Sequence, residues 1–96
     1  MTDKRNITVI LRENKSRLVK KYHLASIGVF GSFTRDDFND SSDIDILIEY
    51  EQPMGIEFID LANELENLLK RPVDLVSRNG IKPKYYKEIQ KDLVYV

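Results

Sequence analysis

Residues 43–50, Asp-Ile-Asp-Ile-Leu-Ile-Glu-Tyr, constrain the fold more than any other stretch of the chain. Their period is two, the period at which side chains alternate between the faces of a strand. Ile44, Ile46 and Ile48 fall on one face, and Asp43, Asp45 and Leu47 on the other. A strand of this kind needs a sheet with one covered face. It also sends two carboxylates to the opposite side, about 6–7 Å apart along the backbone.

The cover comes from helices. Residues 4–22 set Ile7, Ile10, Leu11 and Leu18 near one face, with Lys, Arg and Glu elsewhere. Lys20 and Lys21 suit the negative end of that helix. Residues 56–70 repeat Phe58, Leu61, Ala62, Leu65, Leu68 and Leu69 at helical spacing. Pro53 and Gly55 mark the loop before this helix, and Pro72 opposes its continuation.

Two further strands are predicted. Residues 25–30 form one, broken by Gly31-Ser32. Pro72–Ser77 forms the other, with Val73 and Leu75 on one face and Asp74 and Val76 on the other. Asn79-Gly80 is a turn, residues 83–92 a last helix, and Leu93–Val96 a short apolar tail expected to dock on the domain. The order α-β-loop-β-α-β-α predicts an α/β (α+β) domain with a small sheet of about three strands and helices packed on it. The link over residues 31–42 has room for a helical turn but not for a crossover helix, so the sheet is expected to be mixed.

A chain of 96 residues reads as a single domain, 1–96. Its 42% hydrophobic and 32% charged residues fit a folded domain rather than a disordered one. The lack of cysteine excludes disulfides and thiolate metal sites. The start leads into an amphipathic stretch, and no apolar run approaches the ~20 residues that span a bilayer. A cytoplasmic protein without membrane contact is expected.

The net charge of -1 hides an uneven distribution. From Asp36 to Glu66 there are eleven acidic residues and no basic one, whereas residues 1–21 and 70–91 each hold seven Lys and Arg. A globally basic nucleic-acid binder is excluded by this balance, and no direct nucleic-acid binding is expected. The acidic block is either a solvated surface or the surroundings of a divalent cation; the block alone does not choose.

The chemistry concentrates in Gly31-Ser32 and, after ten intervening residues, Asp43-x-Asp45. Two carboxylates on one face repel each other unless a cation sits nearby. Mg²⁺ accepts hard oxygen ligands, commonly one or two carboxylates with substrate phosphates and water. Two ions about 3.5–4 Å apart can clamp the attacking and leaving oxygens of a phosphoryl displacement. Asp74 would add a third carboxylate from a neighbouring strand; it is the only acidic residue between Glu66 and Glu88. Gly31 permits a tight turn and close approach of the backbone to a ligand. A helical turn starting there would aim N–H groups and the Ser32 hydroxyl at a phosphate.

Each piece also has a plainer reading. Asp-x-Asp can be a solvated strand start, Gly-Ser a simple turn, and Asp74 an edge residue. Arg35 reaches either a phosphate or Asp36 and Asp37 in an exposed ion pair. His23, the single histidine, reads as a helix C-terminal residue rather than a catalytic one. Tyr85-Tyr86 reads as a packing or interface pair, with base stacking the alternative. The combination, in this order and on these elements, is what points to a site.

Gly31-Ser32-Phe33-Thr34-Arg35 followed by Ser42-Asp43-Ile44-Asp45-Ile46-Leu47-Ile48 resembles the signature of the minimal nucleotidyltransferases of the DNA polymerase beta superfamily. Val73-Asp74-Leu75-Val76 resembles the strand carrying that family's third carboxylate, and the likeness spans nearly the whole chain. The resemblance implies a polymerase-beta-like palm fold and transfer of a nucleotide, AMP from ATP, to a hydroxyl. It implies that Asp43, Asp45 and Asp74 are catalytic and hold two Mg²⁺ ions, with Asp74 helping to activate the acceptor. Gly31, Ser32, Arg35 and Ser42 would bind the nucleotide.

Many members pair with a helical HEPN-domain toxin and transfer AMP to a toxin tyrosine as antitoxins of the type VII kind. The resemblance therefore implies such a partner, with a homo-oligomer compatible with it. Two alternatives stand beside this reading. One is an antitoxin that neutralises by binding alone. The other is a transferase acting on a small aminoglycoside-like alcohol, which usually carries an added helical domain.

Overall fold

Apolar stripes at helical spacing find their cover on one face of a sheet. The computed structural model describes residues 4–35, 37–39 and 41–96. In chain order these form α1 (Lys4–Tyr22), β1 (Leu24–Phe30), a 3-10 turn (Gly31–Phe33), β2 (Ile44–Tyr50), α2 (Ile56–Leu69), β3 (Val73–Ser77), α3 (Pro83–Gln90) and β4 (Val94–Tyr95).

The strands lie in the order β3-β2-β1-β4. β1 runs antiparallel to β2, which is parallel to β3, so the sheet is mixed as expected. Ile44, Ile46 and Ile48 are fully buried against Ile7, Leu11 and Leu18 of α1 and Leu61, Leu65 and Leu69 of α2. Each buried Leu or Ile is worth about 1.5–3 kcal/mol of transfer free energy. Tyr22, outside the predicted stripe, is also buried.

The sheet has four strands where the sequence predicted about three. The apolar tail docks by pairing with the open edge of β1, Gly28 opposite Tyr95 and Val29 opposite Val94. Gly28 makes this possible: a Cβ there would lie 2.7 Å from Leu93 Cδ1 and 3.3 Å from Tyr95 Cδ1.

A polar clamp joins the two core helices. Glu64 of α2 is ion-paired with Arg17, accepts from Lys21 Nζ at 3.0 Å, and accepts the Tyr22 hydroxyl at 2.7 Å. Burial works to raise the Glu64 carboxyl, but the donors Arg17, Tyr22 and Lys21 outweigh it and hold the pKa at about 2. α1 gives way to His23 and α2 to Lys70, both at positive φ (55° and 57°), which turns the chain sharply into the next segment.

The entries to the parallel pair β2 and β3 are fixed separately. The Val73 N–H donates to Glu66 Oε2 at 2.9 Å, and the Ile44 N–H donates to the Pro72 carbonyl at 3.0 Å. Among the described residues, no helix is long and apolar enough to cross a membrane.

Candidate functional site

The 3-10 turn follows β1 directly and passes over β2. Gly31 has φ +69°, and a Cβ built on it would lie 2.1 Å from Asp45 Oδ2. Only glycine satisfies both the left-handed backbone and this close approach. The turn is held by Phe33, which is buried and meets Phe38 edge-on at 5.2 Å. The Gly31 carbonyl accepts the Thr34 N–H and the Thr34 hydroxyl, each at 3.1 Å, and the Ser32 carbonyl accepts the Arg35 N–H at 3.2 Å. Ser32 itself is half-buried beside the glycine.

β2 and β3 set the carboxylates. Asp45 pairs with Asp74 across the parallel ladder, so the two side chains leave the same face of the sheet. Adjacent strands stand about 4.8 Å apart, which brings the pair within mutual electrostatic reach. Asp43 lies one residue before β2 and is exposed, as is Asp74; Asp45 is half-buried. Burial raises the Asp45 carboxyl, and repulsion from Asp74 and then Asp43 raises it further, against an opposing pull from Arg35. The three aspartates thus form one anionic group. Among the described residues, however, no three acidic or histidine side chains close into a set that would hold a metal as they stand.

A cavity of about 430 Å³ opens beside Asp45. Phe30, Gly31 and Arg35 border it on one side, and Ile89, Lys91 and Asp92 on the other. Arg35 spans the two walls. Its Nε donates to Asp37 Oδ1 at 3.2 Å and its Nη1 to Asp92 Oδ2 at 3.1 Å. Asp37 is the ion-pair partner that the sequence suggested; Asp36, the other, lies outside the described residues. Asp92 is 57 residues away in the chain and gave no sequence signal. The Arg35 Nη2 also donates to Asp37 Oδ2 at 3.5 Å, and two N–H groups of the five-donor guanidinium remain outside these three bonds.

The remaining sequence candidates divide. The Ser42 hydroxyl accepts the Asn39 N–H at 3.1 Å and is engaged inside its own loop. His23 sits at the far end of β1 from Asp45, at the close of α1. Tyr86 lies under the Arg78 guanidinium at 3.8 Å, in keeping with the packing reading, while Tyr85 is exposed.

A glycine turn against a half-buried aspartate, with a second aspartate beside it on the ladder, fits a phosphoryl-transfer site. Residues 10–96 match the family profile described as the nucleotidyltransferase domain. The chain belongs to that family. This nucleotidyltransferase is 44% identical over 92 residues to a Methanocaldococcus jannaschii protein provisionally named a protein adenylyltransferase, covering 94% of each chain. It is 38% identical over 91 residues to the protein adenylyltransferase MntA of Thermococcus cleftensis, covering 94% of this chain and 92% of that one. A solved structure of a provisionally assigned minimal nucleotidyltransferase superposes with a TM-score of 0.85 at 26% identity, covering 100% of this chain and 98% of the other. A chain of the MntA–HepT toxin–antitoxin crystal structure gives a TM-score of 0.65 at 26% identity, covering 88% of this chain and 68% of that chain.

Proposed function

We propose that this nucleotidyltransferase moves AMP from ATP to a tyrosine hydroxyl of a HEPN-type toxin and so acts as its antitoxin. The names of the relatives support the reaction class, and the toxin–antitoxin likeness supports the partner. The observation that carries the reading is the Asp45–Asp74 pair on one face of the sheet, under a glycine whose Cβ would strike Asp45. The domain, 1–96, is proposed to act as one unit in the cytoplasm.

The donor set suits Mg²⁺. It consists of hard carboxylate oxygens, its charge is uncompensated enough to raise Asp45, and the exposed Asp43 and Asp74 are free to turn toward Asp45. Asp43, Asp45 and Asp74 would hold the ions, two by the family pattern. Bound Mg²⁺ supplies charge stabilisation to the phosphoryl oxygens and orients them.

The protein's own groups do the rest. Gly31 and Ser32 offer a backbone turn, and Ser32 a hydroxyl, to the phosphates, and Arg35 offers its free N–H groups. Ser42 supports this wall through the loop that its hydroxyl closes. The acceptor oxygen attacks the α-phosphorus, and its proton passes to Asp74. The bond from the α-phosphorus to the bridging oxygen breaks, and pyrophosphate leaves. The Arg35–Asp92 contact holds the cavity walls together around the nucleotide.

The test is incubation of the chain with α-labelled ATP, MgCl₂ and a HEPN-type toxin. Label on a toxin tyrosine is expected, and its persistence with an Asp43→Ala/Asp45→Ala variant would sink the assignment. The likeness to an antitoxin chain supports one second reading, neutralisation by binding alone. Full rescue of growth by the inactive variant would establish that alternative.

A further inference from the structure

Arg71 was one of seven basic residues in a charged stretch, with nothing in the sequence to single it out. In the fold it contacts the segment that leads into Asp43. Its Nη2 donates to the Ser42 carbonyl at 2.5 Å and to the Asn39 carbonyl at 2.6 Å. Ser42 immediately precedes Asp43. The guanidinium lies over the Phe38 ring at 4.6 Å, and Phe38 in turn meets Phe33 of the glycine turn at 5.2 Å. Arg71 stands three residues before Asp74, and the Pro72 carbonyl next to it accepts the Ile44 N–H at 3.0 Å.

We propose that Arg71 is a positioning residue for the transfer reaction, which sets the approach of Asp43 to Asp45 and Asp74 and ties all three to the Gly31 turn. The inference rests on the reading of this site as a metal-dependent nucleotidyl-transfer centre. The contacts are with main-chain carbonyls and an aromatic face, so Arg71 acts by fixing the path of the backbone. Two of the three aspartates are exposed. Their spacing therefore depends on how firmly the segments carrying them are held. The described residues of this segment, 37–39, 41 and 42, lie in no helix or strand, so the ladder does not hold them.

Arginine suits this task where lysine does not. A planar guanidinium can stack on a ring while its edge donates to two carbonyls; an ammonium cannot do both. One donor, Nε, is buried without a hydrogen-bond partner among the described residues, so the group is placed by its other contacts rather than by its own full satisfaction.

The test compares wild type, Arg71→Met and Arg71→Lys with two readouts besides transfer activity. The first is binding of MnCl₂ in the presence of ATP, followed by the resonance of free Mn²⁺. Loss of a group that orients metal ligands typically costs about 10–100-fold in metal affinity. Arg71→Met is expected to fall in that range, and Arg71→Lys to recover only a small part. The second is amide exchange in the metal-free protein. The Ser42 and Ile44 N–H groups, bonded to Asn39 and Pro72 carbonyls, are expected to exchange faster while Ile46 at the sheet centre does not.

A merely structural role would speed exchange at all three and leave Mn²⁺ affinity of the folded protein unchanged. If wild type binds Mn²⁺ with ATP and folded Arg71→Met binds within twofold of it, the inference alone is overturned. If wild type binds none, the transfer-centre reading falls and takes the inference with it. Should Arg71→Met fail to fold, Arg71→Lys carries both readouts, and twofold or smaller changes in it overturn the inference.

Discussion

Gly31→Ala is the sharpest probe of the site. The added Cβ would lie 2.1 Å from Asp45 Oδ2, where ordinary contact begins at 3.4 Å, so the carboxylate must retreat by about 1.3 Å. What yields is the end of a side chain, and the clash itself costs little stability. The larger stability term is the left-handed backbone at φ +69°, worth roughly 1–2 kcal/mol for an L-residue. Loss of glycine's freedom in the unfolded chain offsets about 0.4–1 kcal/mol of that. A net loss of about 1 kcal/mol lowers Tm by roughly 4–8 °C in a domain of this size. Function suffers far more, because misplacement of a reacting group by ~1 Å costs on the order of 100-fold. Thermal melts and label transfer from ATP to the toxin, measured on the same sample below its Tm, separate the two effects. A variant that melts lower but transfers within threefold of wild type would refute the coupling of the turn to Asp45.

Three further outcomes follow from the same geometry. Asp45→Asn removes a carboxylate whose ionised form is opposed by burial, Asp74 and Asp43. A carboxyl raised in the fold contributes stability below its unfolded pKa and loses it as pH rises, so the metal-free variant should melt higher than wild type near neutral pH while transfer is abolished; a lower Tm would contradict this. Glu64→Gln should cost about 1–2 kcal/mol at neutral pH after allowance for the exposed Arg17 and Lys21. Wild type should lose that margin as pH falls from the ordinary 4.5 through about 2, and denaturant titrations of the variant should show a correspondingly smaller loss over the same window. Gly28→Val would crowd Leu93 and Tyr95 and cost about 1–3 kcal/mol. It should also expose the Val96 N–H, bonded to the Ile27 carbonyl at 3.0 Å, to rapid exchange; continued protection of that amide would rule out displacement of β4.

What the sequence made legible was whatever depends on short spacing. Alternation put Ile44, Ile46 and Ile48 inward and Asp45 outward, and the stripe of α2 was readable because its repeat exceeds three turns. The company of Asp45 and Asp74 followed from two strands and a shared motif, and the ladder pairs them. Contacts between distant residues were not legible. Arg35 meets Asp92 across 57 positions, and Arg71 meets Ser42 across 29, with no periodicity to announce either. Tyr22 turns inward because Glu64, 42 residues on, offers its hydroxyl a partner. Val94 and Tyr95 form a strand only because β1 leaves an edge open, which two residues cannot signal alone. Ser42 belonged to the signature, and the Asn39 N–H that its hydroxyl accepts was a further contact the signature did not announce.

The pairing of Asp45 with Asp74 makes the chain unequally tolerant of change. Substitutions on the outer surfaces of the helices leave main-chain bonds between the central strands untouched, so drift there should be widely accepted. An insertion or deletion between Leu69 and Val73 that slipped β3 by one residue against β2 would turn Asp74 to the opposite side of the sheet. Length in that short connection is therefore a stricter inheritance than identity across most of the domain.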